Sequence, residues 1–108
     1  MRLMIEYSDN FLKEAKKLSK KFKLIKTDLK QAVKEIEEEQ LLGTALGYDL
    51  YKKRVKNSSI PTGKSGGFRV ILYKKVEDEI ILISIYSKTQ KESLNDDTLR
   101  ELVKSYFR

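Results

Sequence analysis

Apolar residues recur along the chain with two different periods, and the change of period separates a helical first half from a strand-rich second half. Leu3, Ile5 and Tyr7 alternate with Arg2, Met4 and Glu6, the period of a short strand. Phe11, Ala15, Leu18 and Phe22 follow at helical spacing. Ser8, Asp9 or Asn10 stands before them as an N-cap, each with a side-chain oxygen for an orphan amide of the first turn. A second stripe, Ile25, Leu29, Ala32, Val33 and Ile36, predicts a helix starting near Thr27-Asp28 or slightly earlier. Only a few residues around Lys23 separate the two stripes, so the helices should pack as an antiparallel hairpin. Gly43 and Gly47 are expected to end the second helix and to supply the positive-φ turns that lead into a sheet.

Beyond Gly47 the period falls to two. Three runs rich in Val, Ile, Tyr and Phe, bounded by Gly, Pro or acidic turn residues, predict three strands. Residues two apart on a strand share a face. The first run sets Lys52, Arg54 and Lys56 opposite Tyr51 and Val55. The second sets Arg69, Ile71 and Tyr73 opposite Phe68, Val70 and Leu72. The third sets Ile80, Leu82, Ser84, Tyr86 and Lys88 opposite Ile81, Ile83 and Ile85. Val55, Phe68/Val70/Leu72 and Ile81/Ile83/Ile85 are then the core face. Lys52, Arg54, Arg69, Tyr86 and Lys88 gather on the other, and four cations with a phenol make a place for phosphate. Lys53 falls on the core side and is expected near an edge, its ammonium reaching out to water. Val76-Glu77-Asp78-Glu79 reads as a tight acidic turn. Asn95-Asp96-Asp97 caps a last helix with the stripe Leu99, Leu102, Val103 and Tyr106.

Residues 57–67 form the long connection between the first two of these strands and read as a flexible basic flap carrying Lys64. Gly63-Lys64-Ser65 imitates the end of a nucleotide-binding P-loop, but position 58 is serine where that motif needs glycine. The motif also has to pass from strand to helix, whereas this loop joins two strands. The acidic run Glu35, Glu37, Glu38, Glu39 reads as a charged, exposed helix end, and the lysines of the first helix as its solvated face.

Composition narrows the chemistry. The chain has 108 residues, which predicts one domain, 1–108, with one modest core. Hydrophobic residues make up 40% and recur periodically, so the chain is globular rather than disordered. There is no cysteine, which excludes disulfides and thiolate metal sites. There is no histidine either, which removes the usual neutral-pH acid–base group and the usual zinc ligand. No cofactor is expected. With no apolar stretch of about 18 residues and no signal-like start, the expected location is cytoplasmic. The net charge of +7 is concentrated: residues 1–48 carry +2, residues 49–75 carry +7 and residues 76–108 carry −2. Positive charge gathered in one quarter predicts a polyanionic partner, most commonly nucleic acid.

Four strings go further: Lys16-Lys17-Leu18-Ser19-Lys20-Lys21-Phe22-Lys23, Leu50-Tyr51-Lys52-Lys53-Arg54-Val55, Gly63-Lys64-Ser65-Gly66-Gly67-Phe68-Arg69-Val70 and Ile85-Tyr86-Ser87-Lys88. Together with the order of elements they resemble the RelE/ParE superfamily of bacterial toxin–antitoxin modules, and within it the HigB/RelE branch. The resemblance covers nearly the whole chain. It implies a small α+β fold, an N-terminal strand and helical hairpin packed on an antiparallel sheet, with a C-terminal helix. It also implies a ribosome-dependent endoribonuclease that cleaves mRNA in the A site, against 16S rRNA, and a cognate antitoxin protein that blocks it. Carried over by position, the catalytic set falls on Lys52, Arg54, Arg69 and Lys88, with Tyr86 as the phenol of HigB-like sequences. Lys53, Lys56 and Lys64 are the accompanying RNA-binding candidates. RelE itself has a functional tyrosine where this chain has Leu94.

The residues must then do chemistry without histidine. Cleaving RNA requires activating a 2′-hydroxyl, stabilising a phosphorane-like transition state and protonating the leaving 5′-oxygen. Arg54 and Arg69 can hold the developing charge, an effect of roughly 10²–10³-fold per preorganised donor. Lysine is a poor base unless like charges crowd it, so Lys52, flanked by Lys53 and Arg54, is the candidate base. Lys88 or Tyr86 is the candidate acid. The same fold also carries ParE-like inhibitors of DNA gyrase, which bind without catalysis, and a noncatalytic nucleic-acid-binding module is a third reading.

Overall fold

In the computed structural model the structure describes residues 3–61, 66–76, 78–88, 97, 98, 100, 101 and 104. Lys64, Leu94 and the stripe Leu99, Leu102, Val103 and Tyr106 lie outside them. The described elements run β1 (Met4–Tyr7), α1 (Asp9–Ser19), α2 (Ile25–Glu39), β2 (Thr44–Gly47), β3 (Leu50–Val55), β4 (Phe68–Val76) and β5 (Glu79–Ser87). This is the expected α+β arrangement. The sheet has five strands in the order β1-β5-β4-β3-β2. It is mixed rather than antiparallel, because β1 pairs parallel to β5 while the other three pairings are antiparallel.

Local chemistry explains the element ends. Ser8 caps α1, its side chain accepting the Phe11 amide at 3.0 Å. The helix α2 starts at Ile25, before Asp28, so Asp28 is free for another task. Its buried carboxylate accepts the Ser58 amide at 2.8 Å and the Ser58 hydroxyl at 2.6 Å. The start of the 57–67 connection is therefore tied to α2. At the other end of α2, Gln40 supplies the left-handed cap at φ 51°, with Gly43 following at φ 95°. A Cβ on Gly43 would fall 2.2 Å from the Lys52 carbonyl oxygen, so the chain can pass β3 there only as glycine. The strand β2 was not expected from the pattern. It closes on β3 through Tyr48 and Asp49, both at positive φ.

Both helices lie on one sheet face. Phe11, Leu18, Phe22, Ile25, Ala32 and Ile36 close over Val55, Phe68, Val70, Leu72, Ile80, Leu82 and Ile85. The opposite face holds a second, smaller apolar cluster of Leu50, Ile71, Ile81, Ile83 and Tyr86. This corrects the expected phase of the third predicted strand. Ile80 and Leu82 belong to the helix side, and Ile81 and Ile83 to the other, while Ile85 and Tyr86 lie where alternation put them. The reason is a β-bulge: Ile71 pairs with Ser84, but the next residue, Leu72, pairs with Leu82, which leaves Ile83 as an extra residue. No helix among the described residues is long and apolar enough to cross a membrane.

Candidate active site

Alternation in β4 starts from an aromatic anchor. Phe68 is fully buried and meets Phe22 edge to face, ring centroids 5.4 Å apart, so the following residue, Arg69, must point through the opposite face. The preceding Gly67 permits this. A Cβ there would sit 2.1 Å from the Val55 carbonyl oxygen, so β4 can begin this close to the end of β3 only without a side chain. The Gly-Gly-Phe-Arg string thus fixes both the depth of Phe68 and the height of Arg69.

Strand register then assembles the site. Arg69 pairs with Arg54 on β3 and with Tyr86 on β5, which makes one row across three strands. Lys52 lies in the row that contains Ile71 and Ser84. Lys88 follows β5, half-buried, its amide donating to the Gly67 carbonyl at 2.9 Å. Arg54 and Lys56 are exposed at the end of β3, where its outer edge is open because β2 reaches only as far as Lys52. Both line a cleft of about 390 Å³ against Asp28, Gln31 and Glu35 of α2.

Lys53 does not join them. It is 5% exposed on the helix side of β3, and its Nζ lies 2.9 Å from the Glu35 carboxylate. The ammonium is neutralised by a helix rather than carried to an edge, so Lys53 is corrected from an RNA contact to a structural ion pair. Glu35 correspondingly leaves the expected exposed acidic end, where Glu38 and Glu39 remain.

The electrostatics of the row are unusual. Arg69 is 4% exposed, and its guanidinium donates to the Phe68 carbonyl at 3.2 Å. Burial lowers its pKa from the ordinary arginine value, the neighbouring Arg54 lowers it further, and Tyr86 acts in the opposite direction. Like charges directly opposite on neighbouring strands repel, so the pair gathers positive potential at this end of the sheet. Burial raises the Tyr86 phenol above its ordinary value against the opposing pull of Arg69. The phenol is therefore neutral at physiological pH and keeps a proton to donate. Its hydroxyl is buried and has no hydrogen-bond partner among the described residues. Two guanidiniums and an unengaged hydroxyl donor thus converge on one row.

Fold and site together define a small α+β protein with a cationic sheet face. The family described as the RelE toxin of the RelE/RelB toxin–antitoxin system matches residues 10–107. A double arginine-to-alanine mutant of the E. coli toxin RelE in the free state has a similar structure, with a TM-score of 0.61 at 20% identity. The match covers 97% of this chain and 98% of that one, and at such identity it speaks for the fold. No curated protein matches the chain. The chain belongs to the RelE toxin family. It is a toxin of a toxin–antitoxin system, and a cognate antitoxin is its implied partner.

Proposed function

We propose that the chain is a ribosome-dependent endoribonuclease, which binds mRNA in the A site against 16S rRNA and cleaves it. The 2′-hydroxyl attacks the adjacent phosphorus, and the bond to the 5′-oxygen breaks. Lys52 takes the 2′-hydroxyl proton, Arg54 and Arg69 hold the charge that builds on the phosphoryl oxygens, and Tyr86 or Lys88 protonates the leaving 5′-oxygen. Lys56 contacts the RNA backbone beside the site, and Lys64 is a further RNA-binding residue by its place in the sequence. The observation that carries this reading is the Arg54–Arg69–Tyr86 row, two guanidiniums and a neutral buried phenol on adjacent strands. Sparse acid–base equipment suits an enzyme whose substrate is oriented by the ribosome.

Arg69→Ala tests it. Wild-type protein should cut ribosome-bound message at discrete positions in primer extension, and Arg69→Ala should cut it at least ~10²-fold more slowly while remaining folded. Undiminished cleavage by Arg69→Ala would refute this site. DNA damage without message cleavage would instead identify a gyrase poison.

A further inference from the structure

The bulge in β5 decides which way Tyr86 points. Leu82 and Ile85 are three residues apart yet share the helix-side cluster, and Ile83 and Tyr86 are three apart yet share the opposite one. An unbroken strand keeps residues of one face at even separations. Without the extra residue, Tyr86 would follow Ile80 and Leu82 into the helix-side core and leave the Arg54–Arg69 row.

Something must hold that bulge, because β1 ends at Tyr7 opposite Leu82 and gives β5 no strand partner beyond. Three side chains, from the N-cap of α1 to its middle, take over. Ser8 Oγ and Asn10 Nδ2 donate to the Ile83 carbonyl at 2.9 and 3.0 Å. Glu14 Oε1 accepts the Ile85 amide at 3.2 Å, the Ser84 hydroxyl at 2.7 Å and Asn10 Nδ2 at 2.9 Å. The extra residue and its neighbours are thus bonded to a helix side chain as they would have been to a strand.

We propose that Glu14 is a positioning residue: with Ser8 and Asn10 it clamps the β5 bulge and so turns Tyr86 onto the Arg54–Arg69 row. Its catalytic consequence rests on the ribonuclease reading above, but the clamp itself does not. The sign of the side chain matters less than its acceptor, since all three donors meet one oxygen. Glu14→Gln keeps such an oxygen and Glu14→Ala removes it.

The test uses the ring resonance of Tyr86 in isotopically labelled protein, assigned by its loss in Tyr86→Phe, and amide exchange at Ile85. In Glu14→Ala the Tyr86 resonance should shift and Ile85 exchange should rise roughly ten- to hundredfold, the loss of one hydrogen bond to a charged acceptor. In Glu14→Gln the Tyr86 resonance should stay near wild type and Ile85 exchange should rise less than in Glu14→Ala. A merely stabilising Glu14 would lower the melting temperature and leave the Tyr86 resonance in place, and that result overturns the proposal. If Glu14→Ala does not fold, Ser84→Ala and Asn10→Ala remove one donor each, and an unmoved Tyr86 resonance in both overturns it equally. Cleavage is measured separately. A shifted Tyr86 with full cleavage of message upholds the clamp and removes Tyr86 from the catalytic set, whereas a shifted Tyr86 with reduced cleavage, rescued by Glu14→Gln, upholds both.

Discussion

At the scale of single residues the most informative atom is the Tyr86 hydroxyl. It is buried without a hydrogen-bond partner among the described residues, an arrangement that costs stability in the resting protein. Tyr86→Phe should therefore leave stability unchanged or raise it by about 1 kcal/mol in chemical denaturation. On the ribonuclease reading proposed above, the same variant should cleave message roughly 10²-fold more slowly, the loss typical of one transition-state donor. Loss of stability together with activity would mean that the phenol is a structural group. Its titration gives a further check. Burial holds the folded pKa above the ordinary tyrosine value of 10.0, so above that pH the folded chain binds more protons than the unfolded one. Stability that is intact below pH 10.0 is therefore lost as pH rises toward the folded value. Tyr7, raised by burial and by Glu37, contributes in the same direction, so Tyr86→Phe should remove part of the alkaline loss and leave the rest.

At the scale of elements, the site depends on how closely β3 and β4 approach at one end. A methyl at position 67 would meet the Val55 carbonyl oxygen, and the Arg54–Arg69 pair is the next one along after Val55–Phe68. Gly67→Ala should destabilise by ~1–3 kcal/mol through overpacking, seen as a lower melting temperature, and should also slow cleavage at temperatures where it is fully folded. A variant with wild-type melting and cleavage would show that the approach is not needed. The faces of β3 and β4 were legible in the sequence because Val55 and Phe68 stand beside Arg54 and Arg69 and no bulge shifts the register between these two strands. The phase of β5 was not. Ile80 to Ile83 are apolar on both faces, and a run buried on two sides carries no period. The strand β2 is not legible for a different reason: four residues are too few for a pattern, and Tyr48-Asp49 lacks the Asn-Gly chemistry that marks a tight hairpin. Glu35 reads as part of an exposed helix end and Glu14 belongs to no sequence pattern, since only tertiary packing brings them to Lys53 and to the bulge.

At the scale of the whole molecule, Arg69 and Tyr86 lie on the sheet face away from the helices, and Arg54 and Lys56 stand at the open edge of β3 beside α2. Residues 49–75 carry +7, equal to the net charge of the chain, and Arg54 and Lys56 expose it at the open edge of β3. An antitoxin could silence such a molecule by covering this edge with an acidic segment, or by binding elsewhere and making a complex too bulky for the ribosome. The helical side is not a purely charged surface, since Leu12 and Leu24 are 53% and 46% exposed, so both routes have a foothold. The concentration of charge favours the first. Charge reversal at Lys52→Glu/Arg54→Glu should then slow antitoxin association by roughly tenfold or more at low salt. The deficit should shrink as salt rises, because exposed charges are screened beyond ~10 Å at 0.1 M. Association rates and affinities measured at two ionic strengths decide between the routes. An affinity unchanged by the double reversal would remove direct masking and leave exclusion by bulk, with Leu12 and Leu24 as the next residues to replace.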